Sequence, residues 1–396
     1  MTGADAPGAE SPSSLLDTPF TRATGVAIPL ICGPMYPCSN PELVAAVSAA
    51  GGLGVVQPLS MIYVHRHDFR DGLRLIRATT DRPIGMNVLT ERSSKTYLER
   101  MSRWIDIALE EGVRFFLTSL GNPRWIVERV RPAGAIVYHD ATERKWAVKA
   151  IDAGVDGLIA VNDRAGGHAG PRSPEALLAE LAPLGLPVIC AGGVGDASGF
   201  VHALQMGYAG VQMGTRFIAT PECRVHPDYK RALLEATERD IVLTERITGV
   251  PVSVIRTPYV ERIGTRAGPL ARLMLRGHRT KHLMRTIYAL RSLRSLGRSS
   301  LRPMSSKDYY QAGKSVAGIT SIDPAGDIVR RFAEAAGGAS VPPLRLADRD
   351  ISTSARRAAT THPRDAGHPP PPGNTDLLQS PTPSPAGRRA PDGSPR

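Results

Sequence analysis

Ala165-Gly166-Gly167-His168-Ala169-Gly170 sets a single imidazole among glycines directly after the apolar run Val155-Asp156-Gly157-Leu158-Ile159-Ala160-Val161. Glycine takes positive φ freely and carries no Cβ, so such a step turns sharply and leaves its amides open to a ligand. Imidazole titrates near neutrality, which makes His168 the candidate proton acceptor beside that ligand. Two further steps, Ala191-Gly192-Gly193-Val194-Gly195-Asp196 and Gln212-Met213-Gly214-Thr215-Arg216-Phe217, offer amides and a hydroxyl of the kind that hold an anion at a helix N-terminus. Cys32-Gly33-Pro34-Met35 and Gly85-Met86-Asn87-Val88 suit a flat heterocycle. Methionine packs adaptably on a polarizable ring, and an asparagine amide gives a ring edge both a donor and an acceptor. His139-Asp140 closes another apolar run and is a candidate contact at the same site, whereas His65-Arg66-His67 is not read as a metal pair and no metal is expected.

These residues need a frame that gathers them. Short apolar runs alternate with helical patterns, as in repeated βα units. Eight runs read as strands: Ala27–Cys32, Gly54–Gln57, Ile84–Leu89, Phe115–Leu120, Ala135–His139, Gly157–Val161, Val188–Ala191 and Gly210–Met213. Between them, Pro41–Ala50, Lys95–Glu111, Ala141–Ala153, Pro174–Leu181 and Ala197–Met206 carry apolar residues three and four apart. The pattern predicts an α/β fold, a TIM-type (β/α)8 barrel. In that fold the site lies at the C-terminal ends of the strands, with phosphate bound after strands seven and eight. The two glycine steps suited to an anion follow those two runs.

The expected organisation is a barrel over 19–255, a basic helical insertion over 256–305, a C-terminal helix over 306–338 that completes the barrel, and disordered tails over 1–18 and 339–396. The tails are dominated by Pro, Ser, Gly and Arg and cannot bury enough apolar surface to fold. Of the chain's net charge of +12, +11 falls between Arg256 and Arg302, where twelve Lys and Arg accompany one acid, Glu261. Leu273, Leu275, Leu283, Met284, Ile287, Leu290 and Leu293 lie among those arginines, which reads as one or two basic amphipathic helices. Tyr259 and Tyr288 are almost the only aromatics there, so nucleic acid is not expected. An anionic acyl carrier, a membrane surface or an oligomer contact are the candidate partners of the insertion. Cys32, Cys38, Cys190 and Cys223 form no C-x-x-C pair, no signal peptide precedes them, and no apolar stretch reaches bilayer length. Reduced thiols and a cytoplasmic location are the expectation.

Over Thr21 to Ala336 the chain resembles the flavin-dependent nitronate monooxygenases, formerly 2-nitropropane dioxygenases. The resemblance is carried by Gly33-Pro34-Met35, the run from Asn40-Pro41-Glu42-Leu43 to Gly51-Gly52-Leu53-Gly54, Pro83-Ile84-Gly85-Met86-Asn87, Ala165-Gly166-Gly167-His168, Ala191-Gly192-Gly193, Gly214-Thr215-Arg216-Phe217 and Ala312-Gly313-Lys314-Ser315. It implies an FMN-binding barrel with Gly33, Pro34, Met35 and Asn87 around the isoalloxazine. Gly166, Gly167, Gln212 and Met213 join the cofactor set, Gly192, Gly193, Gly214 and Thr215 surround the phosphate, and His168 stands at the catalytic base position. The implied reaction takes a small nitro compound and O2 to a carbonyl compound and nitrite. Many relatives carry a Gln-Gly pair and an acidic residue before the Gly-Gly-His step, where this chain reads Val161-Asn162-Asp163-Arg164, so Asn162 is a candidate substitute. Flavin-dependent enoyl-acyl-carrier-protein reductases share the Gly-Gly-His step, and their NAD(P)H-dependent reduction is the alternative.

Overall fold

β-Branched and aliphatic residues in runs of three to six build eight parallel strands, which pair in sequence order and close into a barrel. They are β1 (Leu30–Cys32), β2 (Leu53–Val56), β3 (Ile84–Leu89), β4 (Phe115–Ser119), β5 (Ile136–Ala141), β6 (Gly157–Val161), β7 (Val188–Ala191) and β8 (Gly210–Met213). The ring closes at β1, where Ile31 is in register with Leu53 on one side and Gln212 on the other. The computed structural model describes residues 14–90, 95–247, 250–266, 295–303, 305 and 308–338. The predicted fold class is the observed one.

Alternation along each strand splits the core in two. Ile31, Leu53, Val55, Phe115, Leu117, Tyr138, Ile159 and Ile189 point into the barrel and form one buried cluster. Cys32, Met86, Val88, Phe116, Val137, Leu158, Cys190 and Met213 belong to a second cluster, shared with the surrounding helices. Helix Ala197–Gln205 shows how such a helix is set: Asp196 caps it by accepting from the Gly199 amide at 2.8 Å, and it buries Phe200, Ala203 and Leu204. Phe200 meets Phe332 of helix Ala325–Gly337 with ring centroids 5.5 Å apart, and this last helix fills the gap between helices Ala197–Gln205 and Pro41–Ala49. Among the described residues no helix is long and apolar enough to cross a membrane.

Three segments differ from the sequence expectation. Residues 14–18, expected in the N-terminal tail, are ordered into the fold: Leu15 is buried and Thr18 forms a capping box with Thr21 that starts helix Pro19–Thr24. That helix drives Phe20 into the barrel cluster, edge-on to Phe115 (5.9 Å) and Tyr138 (5.8 Å). The C-terminal helix expected over 306–338 begins only at Ala325, after Pro324, whose ring suits the residue just before a helix and not its interior. Before it, 311–318 run as a single bridge and a short 3-10 turn. The third difference lies between β8 and the basic segment. Helix Pro227–Glu235 forms there and buries Tyr229 and Leu233 in the outer cluster, and an antiparallel ribbon, β9 (Ile241–Thr244) with β10 (Val252–Ile255), has a small apolar cluster of its own around Val252, Val254, Val260 and Tyr309. Of the basic segment, helix Pro258–Ile263 and helical residues 295–301 are seen. Its amphipathic portion 267–294, residues 1–13 and the tail from 339 lie outside the described residues. Phe20→Ala is expected to cost about 3–5 kcal/mol, as large-to-small changes in a packed core do. Urea denaturation of parent and variant measures the difference.

Candidate active site

At the C-terminal end of the barrel several inward positions turn from apolar to polar. Asn87 on β3, Asp140 on β5 and Gln212 on β8 share strand parity with the lumen residues Leu117, Tyr138 and Ile31, their register partners or near neighbours. Each carries a buried side-chain oxygen with no hydrogen-bond partner among the described residues: Asn87 Oδ1, Asp140 Oδ1 and Gln212 Oε1. Buried acceptors in a folded protein are ordinarily satisfied, so three orphans on one rim mark a place built for a ligand. Burial pushes the Asp140 carboxyl up to about 7, because nothing charged nearby favours its ionised form.

Parity also removes two of the residues singled out by sequence. His139 precedes Asp140 on the same strand and therefore faces the helices. Its ring is buried, shares a 2.8 Å hydrogen bond with the Thr118 hydroxyl through Nδ1, and is held down to about 4 by burial. Met213 likewise packs in the outer cluster and reaches the rim only by its carbonyl, which accepts from Gly33 N at 2.9 Å. A third correction concerns Asn162. Its Nδ2 donates to the Gly192 carbonyl at 3.1 Å and to Cys190 Sγ at 3.6 Å, and its Oδ1 accepts from Arg164 N at 2.9 Å. A fully buried amide spent in this way ties two loops together and offers nothing to a ligand.

The loop after β6 carries Gly166, Gly167 and His168, and distant segments hold it. Gly166 and Gly313 touch back to back: a Cβ on Gly313 would stand 2.6 Å from Gly166 N, and one on Gly166 2.9 Å from Gly313 N. Only glycine permits that approach. Lys314 N donates to Arg164 O at 2.9 Å, and Gly313 N donates to the Thr215 hydroxyl at 3.0 Å. On the other side Ser253 N of β10 donates to Gly167 O at 2.7 Å, while Arg164 pairs with Glu238. Gly192, at φ +121°, closes against Asn162 and Ala165, where any side chain would overlap. Solvent reaches His168 in this cradle, but protein surrounds its ring closely enough to lower its pKa. Among the described residues the ring makes no hydrogen bond, which leaves a neutral imidazole free to take a proton.

Beside it lie the loops after β7 and β8, with the loop after β1 next in the ring. The amides of Gly193, Gly214 and Thr215 donate to nothing among the described residues, and Thr215 opens the short helix Thr215–Ile218. Open amides at a helix start suit an anionic group. Half-buried Met35 lies against Gly214, with Sδ 3.3 Å from where a Cβ there would be, and Pro34 and Gly33 lead into it. Gly33 in turn leaves the room that the Gln212 side chain occupies, since a Cβ would come within 2.9 Å of Gln212 Cγ.

The profile of the nitronate monooxygenase family matches residues 17–334. The chain belongs to that family. It is accordingly an oxidoreductase of the flavin-dependent type. Among its relatives, a Mycobacterium tuberculosis protein named (3aS,4S,5R,7aS)-5-hydroxy-7a-methyl-1-oxo-octahydro-1H-indene-4-carboxyl-CoA dehydrogenase is 33% identical over 258 residues, 64% of this chain and 70% of the relative. A probable nitronate monooxygenase of Staphylococcus saprophyticus is 30% identical over 61% of this chain and 80% of its own length. The solved structure of FabK from Thermotoga maritima superposes with a TM-score of 0.66 at 28% identity, covering 81% of this chain and 96% of that one.

The orphaned lumen oxygens, the open amides of the two glycine loops and Met35 fit a flavin: polar atoms for the edges of a flat ring system, and a cup for a phosphate. Sequence reasoning missed the β9–β10 ribbon that bridges Gly167, because its pairing with a loop residue leaves no periodic trace. The Ala312-Gly313-Lys314-Ser315 motif was visible as a motif, but its contact with Gly166 was not.

His139 supplies a pH test of its assigned position. Its folded pKa is below the unfolded value, so the unfolded chain gains a proton first, and stability is present above about pH 6.5 and lost as pH falls toward 4. His139→Asn, which keeps a donor for Thr118 but does not titrate, should remove about 3 kcal/mol of the stability lost between pH 7 and pH 4. Denaturant titrations of both proteins at the two pH values measure the difference.

Proposed function

We propose that the protein uses FMN to oxidise alkyl nitronates, and nitroalkanes after loss of their α-proton, with O2 as oxidant and a carbonyl compound and nitrite as products. The observation that carries the reading is the pairing of an unbonded, neutral His168 with a rim of unsatisfied oxygens and open amides, in a chain of the nitronate monooxygenase family. FMN, when bound, supplies the redox chemistry that takes electrons from the substrate to oxygen. The chain's part is positional and acid–base. Gly192, Gly193, Gly214 and Thr215 hold the phosphate through amides and a hydroxyl, and Gly33, Pro34, Met35, Asn87, Gly166, Gly167 and Gln212 border the ring system. His168 accepts the proton from the α-carbon of a neutral nitroalkane, and its lowered pKa keeps the accepting form populated at neutral pH. Preformed nitronate carries no such proton and bypasses this step.

Substrate deprotonation and the identity of the oxidant separate the readings. His168→Asn should retain flavin absorbance, lose at least about 100-fold in turnover of neutral nitroethane, as removal of a general base does, and keep most of its turnover of ethylnitronate. Nitrite release assayed on the two substrates in air decides the matter: equal turnover of nitroethane by variant and parent would remove His168 as the base. The M. tuberculosis relative, by its name a dehydrogenase of a carboxyl-CoA, favours a second reading, in which a coenzyme A or acyl-carrier thioester is the substrate and the basic segment its docking charge. Rapid anaerobic bleaching of the flavin by NADH or NADPH, without nitrite from a nitronate in air, would support a reductase of that kind in place of the monooxygenase.

A further inference from the structure

Asp140 is unusual among the rim residues. Asn87, Ser119, Val161, Ala191 and Gln212, which by strand parity face the same end of the lumen, carry no ionisable group. Asp140 does, and its Oδ1 is buried without a partner. The elements packed against it bring no charge to it. From β4 comes Ser119, while Thr118 faces outward with His139, and from β6 come Ile159 and Val161. In the layer below lies Tyr138, whose phenol is itself held above its ordinary pKa, mainly by burial. His139 faces the other way and is neutral. Arg164, beyond β6, is engaged with Glu238, and His168 has its pKa lowered, so neither pairs with the carboxylate. A carboxyl so placed keeps its proton until near neutrality, with its pKa raised by burial to about 7.

We propose that Asp140 is a substrate-binding residue that selects by charge: protonated, it donates a hydrogen bond to one oxygen of a planar two-oxygen monoanion, and ionised, it repels that anion. The proposal rests on the reading that the substrate enters this end of the lumen, and adds to it the class of substrate end recognised, a nitronate or a carboxylate. A neutral carboxylic acid is a donor suited to such an anion, whereas a carboxylate beside it in a poorly solvated site is strongly unfavourable. Anion binding must then raise the Asp140 pKa further. Above pH 7 each anion bound carries a proton in with it, and affinity falls about tenfold for each pH unit.

The test uses the flavin-loaded full chain and propanoate, an unreactive anion whose two-oxygen end resembles a nitronate. Titrations between pH 5.5 and 9, followed by flavin absorbance and by calorimetry, give the dissociation constant. The parent should lose about tenfold in affinity per unit above pH 7. Asp140→Asn, similar in shape and a donor at every pH, should bind as the parent does at pH 6 and stay within about threefold of that value throughout, a limit well inside one pH unit's change. Calorimetry of the parent in buffers of different ionisation enthalpy is independent of whether the variant folds, and should register uptake of about one proton per propanoate at pH 8, with little at pH 6. A parent profile flat through pH 7, a variant profile parallel to the parent's, no proton uptake at pH 8, or no binding of propanoate at any pH would each overturn the proposal. Nitrite release from ethylnitronate is scored separately. Proton-linked binding without turnover would retract the reaction and leave the role of Asp140 standing; turnover with unlinked binding would retract the role of Asp140 alone.

Discussion

In a closed parallel barrel every second residue of a strand faces the lumen, and closure forbids any strand to slip by one without turning its whole hydrophobic set inside out. The rest of this structure depends on that parity. The lower lumen is filled by Phe20, Phe115, Tyr138, Leu117 and Ile159, so the rim above has an apolar floor. On that floor Asn87, Asp140 and Gln212 are admitted because they occupy inward positions, while His139 and Met213, one residue away, are excluded. Burial above that floor is why the Asp140 carboxyl rises toward neutrality.

Above the rim, the loop after β6 is an irregular segment that the structure treats almost as a secondary element. It is bonded to Ala191 and Gly192 through Asn162, packed against Gly313, and bridged to β10 through Gly167. Holding a short glycine-rich loop from several directions limits the freedom that glycine would otherwise give it. The histidine at its tip is thereby positioned by its backbone, since its ring has no hydrogen-bond partner among the described residues. The Asn162 amide is engaged by Cys190, Gly192 and Arg164, so this side chain serves the loop's architecture.

Much of this was legible in the linear chain. β3, β6, β7 and β8 begin and end where their apolar runs do, and the others differ by up to three residues at an end, because burial on both faces of a parallel strand writes a continuous apolar word. The glycine steps after β6, β7 and β8 were readable for a related reason: a close backbone approach tolerates no other residue, so the requirement is met by a residue type and not by a geometry.

Local chemistry in the chain sets the number and order of the barrel strands, the presence of His168 among glycines, and the family. Packing alone settles which neighbour of a pair faces the lumen and which groups meet across the chain. His139 and Asp140 are adjacent letters of comparable promise, and their separation into a buried outward imidazole and an unpaired inward carboxyl follows from closure of the barrel. The meetings of Gly166 with Gly313 and of Gly167 with Ser253 join residues far apart in the chain, and contacts of that kind arise from packing, which leaves no periodic mark on the segments it joins.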